Sequence, residues 1–254
     1  MDKTMKKWKQ VLCITLIIVG VLLVSAVVIG ILNATVFDGA INFGWTSYHY
    51  DSTGYTVGEG SVFDTEIRKI SVDWLEGDVQ IEVCEDDFIS VSEFCREELS
   101  DVTRLHWRAD GAELSVKSRE SAWVFGSDPE KKLTLRIPAR MLAQMESLTV
   151  KTHDGDISLV NVSARTINLE CGDGDLRATL PFMPEIVSTT ALGGQTTFLL
   201  PQNASFSLQW TKNEGVIITD FDLQKEADRY VVGSGKSQFF VTTDDENLIV
   251  NPLP

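Results

Sequence analysis

Apolar and polar residues alternate along much of this chain, and glycine punctuates the alternation. In the C-terminal half Gly155, Gly174, Gly194, Gly215 and Gly235 recur at spacings of 19, 20, 21 and 20 residues. Gly77 adds a sixth origin. Around these six glycines, offsets −7, −5, −3, +2, +4 and +6 hold 28 apolar residues out of 36, against about 15 expected from a 43% hydrophobic composition. The intervening offsets −6, −4, +3 and +5 hold only 5 of 24. A period of two marks half-buried strands. Each unit therefore reads as strand, glycine turn, strand, then a connection such as Leu180-Pro181 or Leu200-Pro201. The segments LTVKTHDGDISLV and INLECGDGDLRAT show it best. One unit cannot bury its apolar face alone, so the repeat predicts a stack with a shared core and successive units about 4.8 Å apart.

Residues 84–145 break the period. Phe88–Glu93 alternates, and Leu105–Arg108 and Glu113–Val116 flank Asp110-Gly111. That is a hairpin signal, because glycine tolerates the positive φ of a tight turn. Lys132–Ile137 reads as a strand stopped by Pro138, and Ala139–Met145 as one short helical turn. The region is expected to be a sheet inserted into, or continuing, the same structure. The final FFVTTDDENLIVNP reads as a closing arch or cap.

A different pattern opens the chain. Lys3, Lys6, Lys7 and Lys9 precede Val11 to Leu32, a run of 22 residues without a charge. As a helix it would be about 33 Å long, enough to cross a ~30 Å hydrocarbon core. Val24-Ser25-Ala26 resembles a signal-peptide cleavage site, but apolar sequence continues for six more residues. Cleaved signals have a shorter apolar region, of about 7–15 residues, so the run is expected to be an uncleaved anchor. The lysines place the N-terminus in the cytoplasm. Ala26 and Gly30 form a small-xxx-small pair, which is also common in spans by composition alone. The expected fold class is all-β: a β-solenoid-like stack of ~20-residue strand-turn-strand units, preceded by one N-terminal transmembrane α-helix. The expected layout is a basic head (1–10), the membrane helix (11–32), a juxtamembrane linker (33–60) and an extracytoplasmic β-strand-repeat domain (61–254). Residues 33–60 hold Phe37, Phe43, Trp45, Tyr48, Tyr50 and Tyr55, with no strand or helical period.

Charge narrows the function. The chain carries 37 acidic and 22 basic residues, net −15. Beyond the basic head the balance is near −18. A nucleic-acid binder needs a basic stripe, so no nucleic-acid partner is expected.

The basic head, the single span, IRKISVDWLEGDVQIEV, a hairpin, LTLRIP and SLTVKTHDGDISLV together resemble the putative-adhesin β-strand-repeat family. That family includes the LiaG-like, or toastrack, proteins of low-GC Gram-positive bacteria. The resemblance covers about residues 61–254. It implies a β-solenoid-like extracytoplasmic domain linked to envelope-stress systems, and it brings no catalytic residues. The expected function is non-enzymatic binding or sensing at the cell envelope, through a protein partner, with no cofactor.

Candidate chemistry is sparse. His49, His106 and His153 are isolated, and neither HExxH nor CxxC occurs; a zinc site needs three or four converging ligands. No phosphate-binding glycine loop or GxSxG elbow appears. Cys84, Cys95 and Cys171 follow the span. Cys171 falls on the inward alternation, as a small core residue would, and pairing of Cys84 with Cys95 stays open. The sharpest constellation is the acidic turns Glu76-Gly77-Asp78, Asp154-Gly155-Asp156 and Asp173-Gly174-Asp175. Stacking would align Asp154, Asp156, Asp173 and Asp175 on one edge, where Ca²⁺ takes several hard oxygens. Against this, Asp and Gly favour turns for conformational reasons alone, and the turns at Gly194 and Gly215 lack the acids. No metal site is therefore assigned, and a calcium-dependent adhesin stays an alternative. The other alternative is a glycan-acting β-helix enzyme, which needs paired carboxylates in a groove.

Overall fold

A computed structural model describes residues 45–63, 66–125, 129–212, 214–244 and 246–254. The Val11 to Leu32 run lies outside them, and among the described residues no helix is long and apolar enough to cross a membrane. The chain divides into two compact units.

Among its described residues the larger unit, residues 51–120 and 128–254, is all-β apart from a six-residue 3₁₀ helix at Ala139–Gln144. It is built from two-strand coils whose strands pair in parallel with those of the next coil, in two sheets of nine and eleven strands. In stacking order the coils are Glu113–Lys117 with Lys131–Pro138; Lys69–Glu76 with Val79–Cys84; Ser147–Asp154 with Ile157–Val160; and Thr166–Asp173 with Leu176–Thr179. Then follow Ile186–Ala191 with Thr196–Leu200; Ser237–Thr243 with Leu248–Pro252; and Phe206–Thr211 with Ile217–Ile218. At the first end Ile89–Cys95 and Gly60–Val62 extend the nine-stranded sheet, while His106–Asp110 and Thr56–Val57 extend the other. At the far end Arg229–Val232 and Gln224–Glu226 complete the eleven-stranded sheet.

The period-two alternation explains the core. Ile167, Leu169 and Cys171 on one strand and Leu176 and Ala178 on its partner all point between the sheets, each at most 1% exposed. Identical offsets in adjacent coils put like positions in register: Val150 lies between Val72 and Leu169, and Leu159 between Ile81 and Ala178. Each full burial of a Val, Leu or Ile contributes about 1.5–3 kcal/mol. Towards the far end the core turns aromatic. Phe239 packs edge-on against Phe198 with centroids 5.5 Å apart, and tilted against Phe206 at 5.4 Å.

The turn glycines are required by geometry. Gly155 and Gly174 have φ of +120° and +143°, and a Cβ on either would run into the carbonyl of the glycine stacked beneath it, Gly77 and Gly155 respectively. The coils approach this closely because the Gly155 N–H donates to Asp173 O at 2.7 Å, and the Gly77 N–H to Asp154 O at 2.7 Å.

The strand pairing corrects two expectations. Gly235 is not the turn of a coil; it lies between Arg229–Val232 and Ser237–Thr243, and the true turn falls near Asp244 and Asn247. The final segment is not a closing cap. It is an interior coil, because Ser237–Thr243 pairs in parallel with both Ile186–Ala191 and Phe206–Thr211. The described residues of 33–60, and the two that follow, form short strands at Trp45–Tyr48, Thr56–Val57 and Gly60–Val62. Strands of two to four residues are too short to show an alternation.

Residues 84–145 continue the stack. The Asp110-Gly111 hairpin forms, with His106–Asp110 antiparallel to Glu113–Lys117 and Gly111 at φ +56°. Glu113–Lys117 and Lys131–Pro138 then make a split coil beneath coil 69–84, although they follow it in sequence.

The smaller unit comprises residues 1–50 and 121–127. Its described part is an antiparallel pair of strands, Trp45–Tyr48 and Ala122–Phe125. The Ser121 hydroxyl accepts the Tyr50 N–H at 2.9 Å and lies 2.9 Å from His49 Nδ1.

Candidate binding surface and a buried ion pair

Stacking brings the acidic turns together on one edge. Parallel register sets Asp154 between Glu76 and Asp173 in one column. The residues after each glycine form a second column in which each carboxylate serves the next coil. Asp78 Oδ1 accepts the Asp156 N–H at 3.2 Å, Asp156 Oδ1 the Asp175 N–H at 2.8 Å, and Asp175 Oδ1 the Gln195 N–H at 2.7 Å. Asn247 repeats the device, its Oδ1 accepting the Val216 N–H at 2.9 Å. The sequence-derived candidates Asp154, Asp156, Asp173 and Asp175 thus share an edge as two straight columns. Among the described residues no group of three or more His, Cys, Asp or Glu side chains is arranged to hold a metal ion. Burial, and then the neighbouring Asp154, raise the carboxyl of Glu76 above its ordinary pKa, with Arg119 pulling the other way.

The other candidates are dispersed. Cys84 sits opposite Pro138 and Cys95 opposite Lys131, at the two ends of one eight-residue strand. At about 3.3 Å per residue that separation far exceeds the ~7 Å Cα limit for a disulfide, so the open question of their pairing closes: both are free, as is Cys171. Cys171 is buried, its Sγ 3.4 Å from Gly155 O and 3.3 Å from Gly174 O, and burial raises its thiol pKa. His49 and His153 are exposed, whereas His106 is 4% exposed, with its Nδ1 lacking a hydrogen-bond partner.

The outer face of the eleven-stranded sheet is mostly uncharged. Register aligns Ser71, Thr149, Asn168 and Ser188 in one row, continued by Phe240, 42% exposed. The next row alternates in charge: Lys117 meets Asp73 at 3.0 Å and Lys151 meets Glu170 at 3.1 Å. The first pair is half-buried and the second exposed, and an exposed pair contributes at most about 1 kcal/mol.

One cluster escaped the sequence reading. Lys131 is 2% exposed, and its Nζ lies 3.2 Å from Glu93 Oε2. The same Nζ donates to Thr103 O at 2.7 Å and to Ser118 O, and sits 4.8 Å from the centroid of the Trp74 ring. Trp74 Nε1 donates back to Lys131 O at 3.1 Å, and the Leu105 N–H donates to Glu93 Oε1 at 2.8 Å. The signal was present in the alternation. Lys131 shares the inward parity of Leu133, Leu135 and Ile137, and Glu93 that of Ile89 and Val91.

In class this is a β-solenoid domain of stacked two-strand coils. The family profile Toastrack DUF4097 matches residues 67–180 and again 143–250, and the chain belongs to that family. A solved structure named "putative cell adhesion protein", from Clostridium sporogenes, shares the fold with a TM-score of 0.59. It is 12% identical, over 78% of this chain and 100% of that one. A "putative adhesin" from Bacteroides fragilis aligns over 78% of this chain and 97% of that one, at 11% identity and a TM-score of 0.35. No curated relative matches the sequence.

Proposed function

We propose that this toastrack domain is a non-enzymatic, adhesin-like binding module of the bacterial envelope. In this reading Val11 to Leu32 anchors it in the membrane with the N-terminus in the cytoplasm. The β-domain stands outside, engages a protein partner and is tied to the envelope-stress response. What supports the reading is the placement of the acids. One oxygen of each of Asp78, Asp156 and Asp175 accepts a backbone N–H of a neighbouring coil, which favours a structural role for these acids over calcium binding or glycan hydrolysis. The outer strand faces are left as the contact surface. The strongly acidic balance disfavours direct docking onto anionic wall polymers, since like charges repel within the ~8 Å Debye length, and favours a partner with a basic face.

Two measurements test this. External protease on intact protoplasts should remove residues beyond about 60 and leave the N-terminus protected; an ectodomain that survives active protease overturns the topology. The full-length protein should capture an envelope protein, bind isolated walls negligibly in EDTA and gain little from millimolar Ca²⁺. Calcium-dependent wall binding lost in Asp154→Ala with Asp173→Ala would make it a calcium-dependent adhesin instead.

A further inference from the structure

We propose that Lys131 and Glu93 condense into an intramolecular isopeptide bond, so that the mature domain carries a covalent clamp between two neighbouring strands. The groups are already in contact. Nζ lies 3.2 Å from Oε2, with the side chains 2% and 6% exposed. The two residues are diagonal neighbours on antiparallel strands, Lys131 opposite Cys95 and Glu93 opposite Leu133, so the rigid sheet fixes their approach.

Burial sets the chemistry. Keeping two opposite charges out of water is costly even when they are paired. Passing the proton from the ammonium to Oε2 leaves a neutral amine beside a neutral acid. Burial lowers the Lys131 pKa below its ordinary value, with the neighbouring Glu93 carboxylate pulling the other way. The Nζ lone pair then attacks Glu93 Cδ. The N–Cδ bond forms, the Cδ–Oε2 bond breaks, and Oε2 leaves as water with its own proton and a second one from Nζ. Nothing is oxidised or reduced, and no co-reactant is needed. The Leu105 N–H, already 2.8 Å from Oε1, stabilises the negative charge that develops on that oxygen. The amide N–H that remains keeps a backbone carbonyl to donate to, Thr103 O or Ser118 O. In water the condensation is held back by the need to bring two groups together and by competing solvent. Here orientation supplies an effective concentration of about 10⁵ M or more, and the expelled water leaves a dry site roofed by the Trp74 ring.

The clamp would close the chain segment 94–130, which holds the Asp110-Gly111 hairpin and from which residues 121–127 depart to the smaller unit. In a surface-exposed binding protein it would keep the first end of the stack from unravelling under load.

The test reads mass and does not depend on what the domain binds. The purified full-length protein, denatured and reduced, is digested and mapped by mass spectrometry. The expected result is a linked peptide pair joining Glu93 to Lys131, about 18 Da lighter than its separate parts, as loss of one water requires. Lys131→Met should abolish that loss. Unlinked Glu93 and Lys131 peptides from the wild-type protein overturn the proposal, as does a water loss that persists in Lys131→Met. If that variant does not fold, the wild-type peptide map decides alone.

Discussion

Asp156 Oδ1 accepts the backbone N–H of Asp175 at 2.8 Å, one coil further along the stack. The contact repeats at Asp78 and Asp175, so the acidic turns are rungs that tie coil to coil. A hydrogen bond to a charged acceptor is worth about 1.5–3 kcal/mol, less where water competes. Asp156→Ala should therefore lower stability by about 1–2 kcal/mol in urea melts, and Asp156→Asn, which keeps an acceptor, by less. Millimolar Ca²⁺ should leave the melting temperature of the wild-type protein unchanged, since a ligand that favours the native state must raise it.

Phe198 and Thr197 are sequence neighbours on opposite faces of one strand. Phe198 is 0% exposed and packs on Phe239, whereas Thr197 is half-buried on the outer face. Phe198→Ala should cost about 3–5 kcal/mol through the cavity it leaves, and Thr197→Ala under about 1 kcal/mol. Equal losses in denaturant melts would mean the strand faces the other way.

Gly174 and Gly111 both have positive φ, but only Gly174 has backbone where a Cβ would go; at Gly111 nothing lies within 4 Å. Gly111→Ala should cost about 1 kcal/mol, the conformational penalty alone. Gly174→Ala must also push two coils apart and should cost about 3 kcal/mol or more. Thermal melts of the two variants side by side separate the steric part from the conformational one.

His106 is buried, and burial lowers its pKa from 6.5. A depressed pKa means the unfolded state takes up the proton first. The stability it contributes is therefore present above pH 6.5 and is lost as pH falls through the lower folded value. Melting temperatures from pH 8 to pH 5 should drop more steeply in the wild-type protein than in His106→Gln. Parallel profiles would show that His106 is not the titrating group.

Strand positions, turn positions and inward faces were legible because they depend on local alternation and on the φ that glycine allows. Trp74, Leu148, Ile167 and Leu176 are all buried where period two puts them. Gly235 satisfied the same spacing and still proved to be no coil turn. A short antiparallel excursion of Gln224–Glu226 and Arg229–Val232 happens to fill one repeat length. The buried Lys131–Glu93 pair was overlooked because a charged residue at an inward position reads as an interruption of the pattern, and only the approach of the partner strand shows what compensates it.

By itself the sequence determined the class of the protein: an all-β stack with its acids in the turns. The order of the stack was decided only in three dimensions. Coil 237–252 is the last in the chain, yet it lies between coils 186–200 and 206–218, and coil 113–138 lies beneath coil 69–84, which precedes it. The interior coils present similar apolar faces and pair in parallel on both sides, so the local pattern alone does not distinguish one neighbour from another. The choice falls to contacts between residues far apart in the chain, such as Phe239 wedged between Phe198 and Phe206, where the shapes of the filled core favour one partner over the rest.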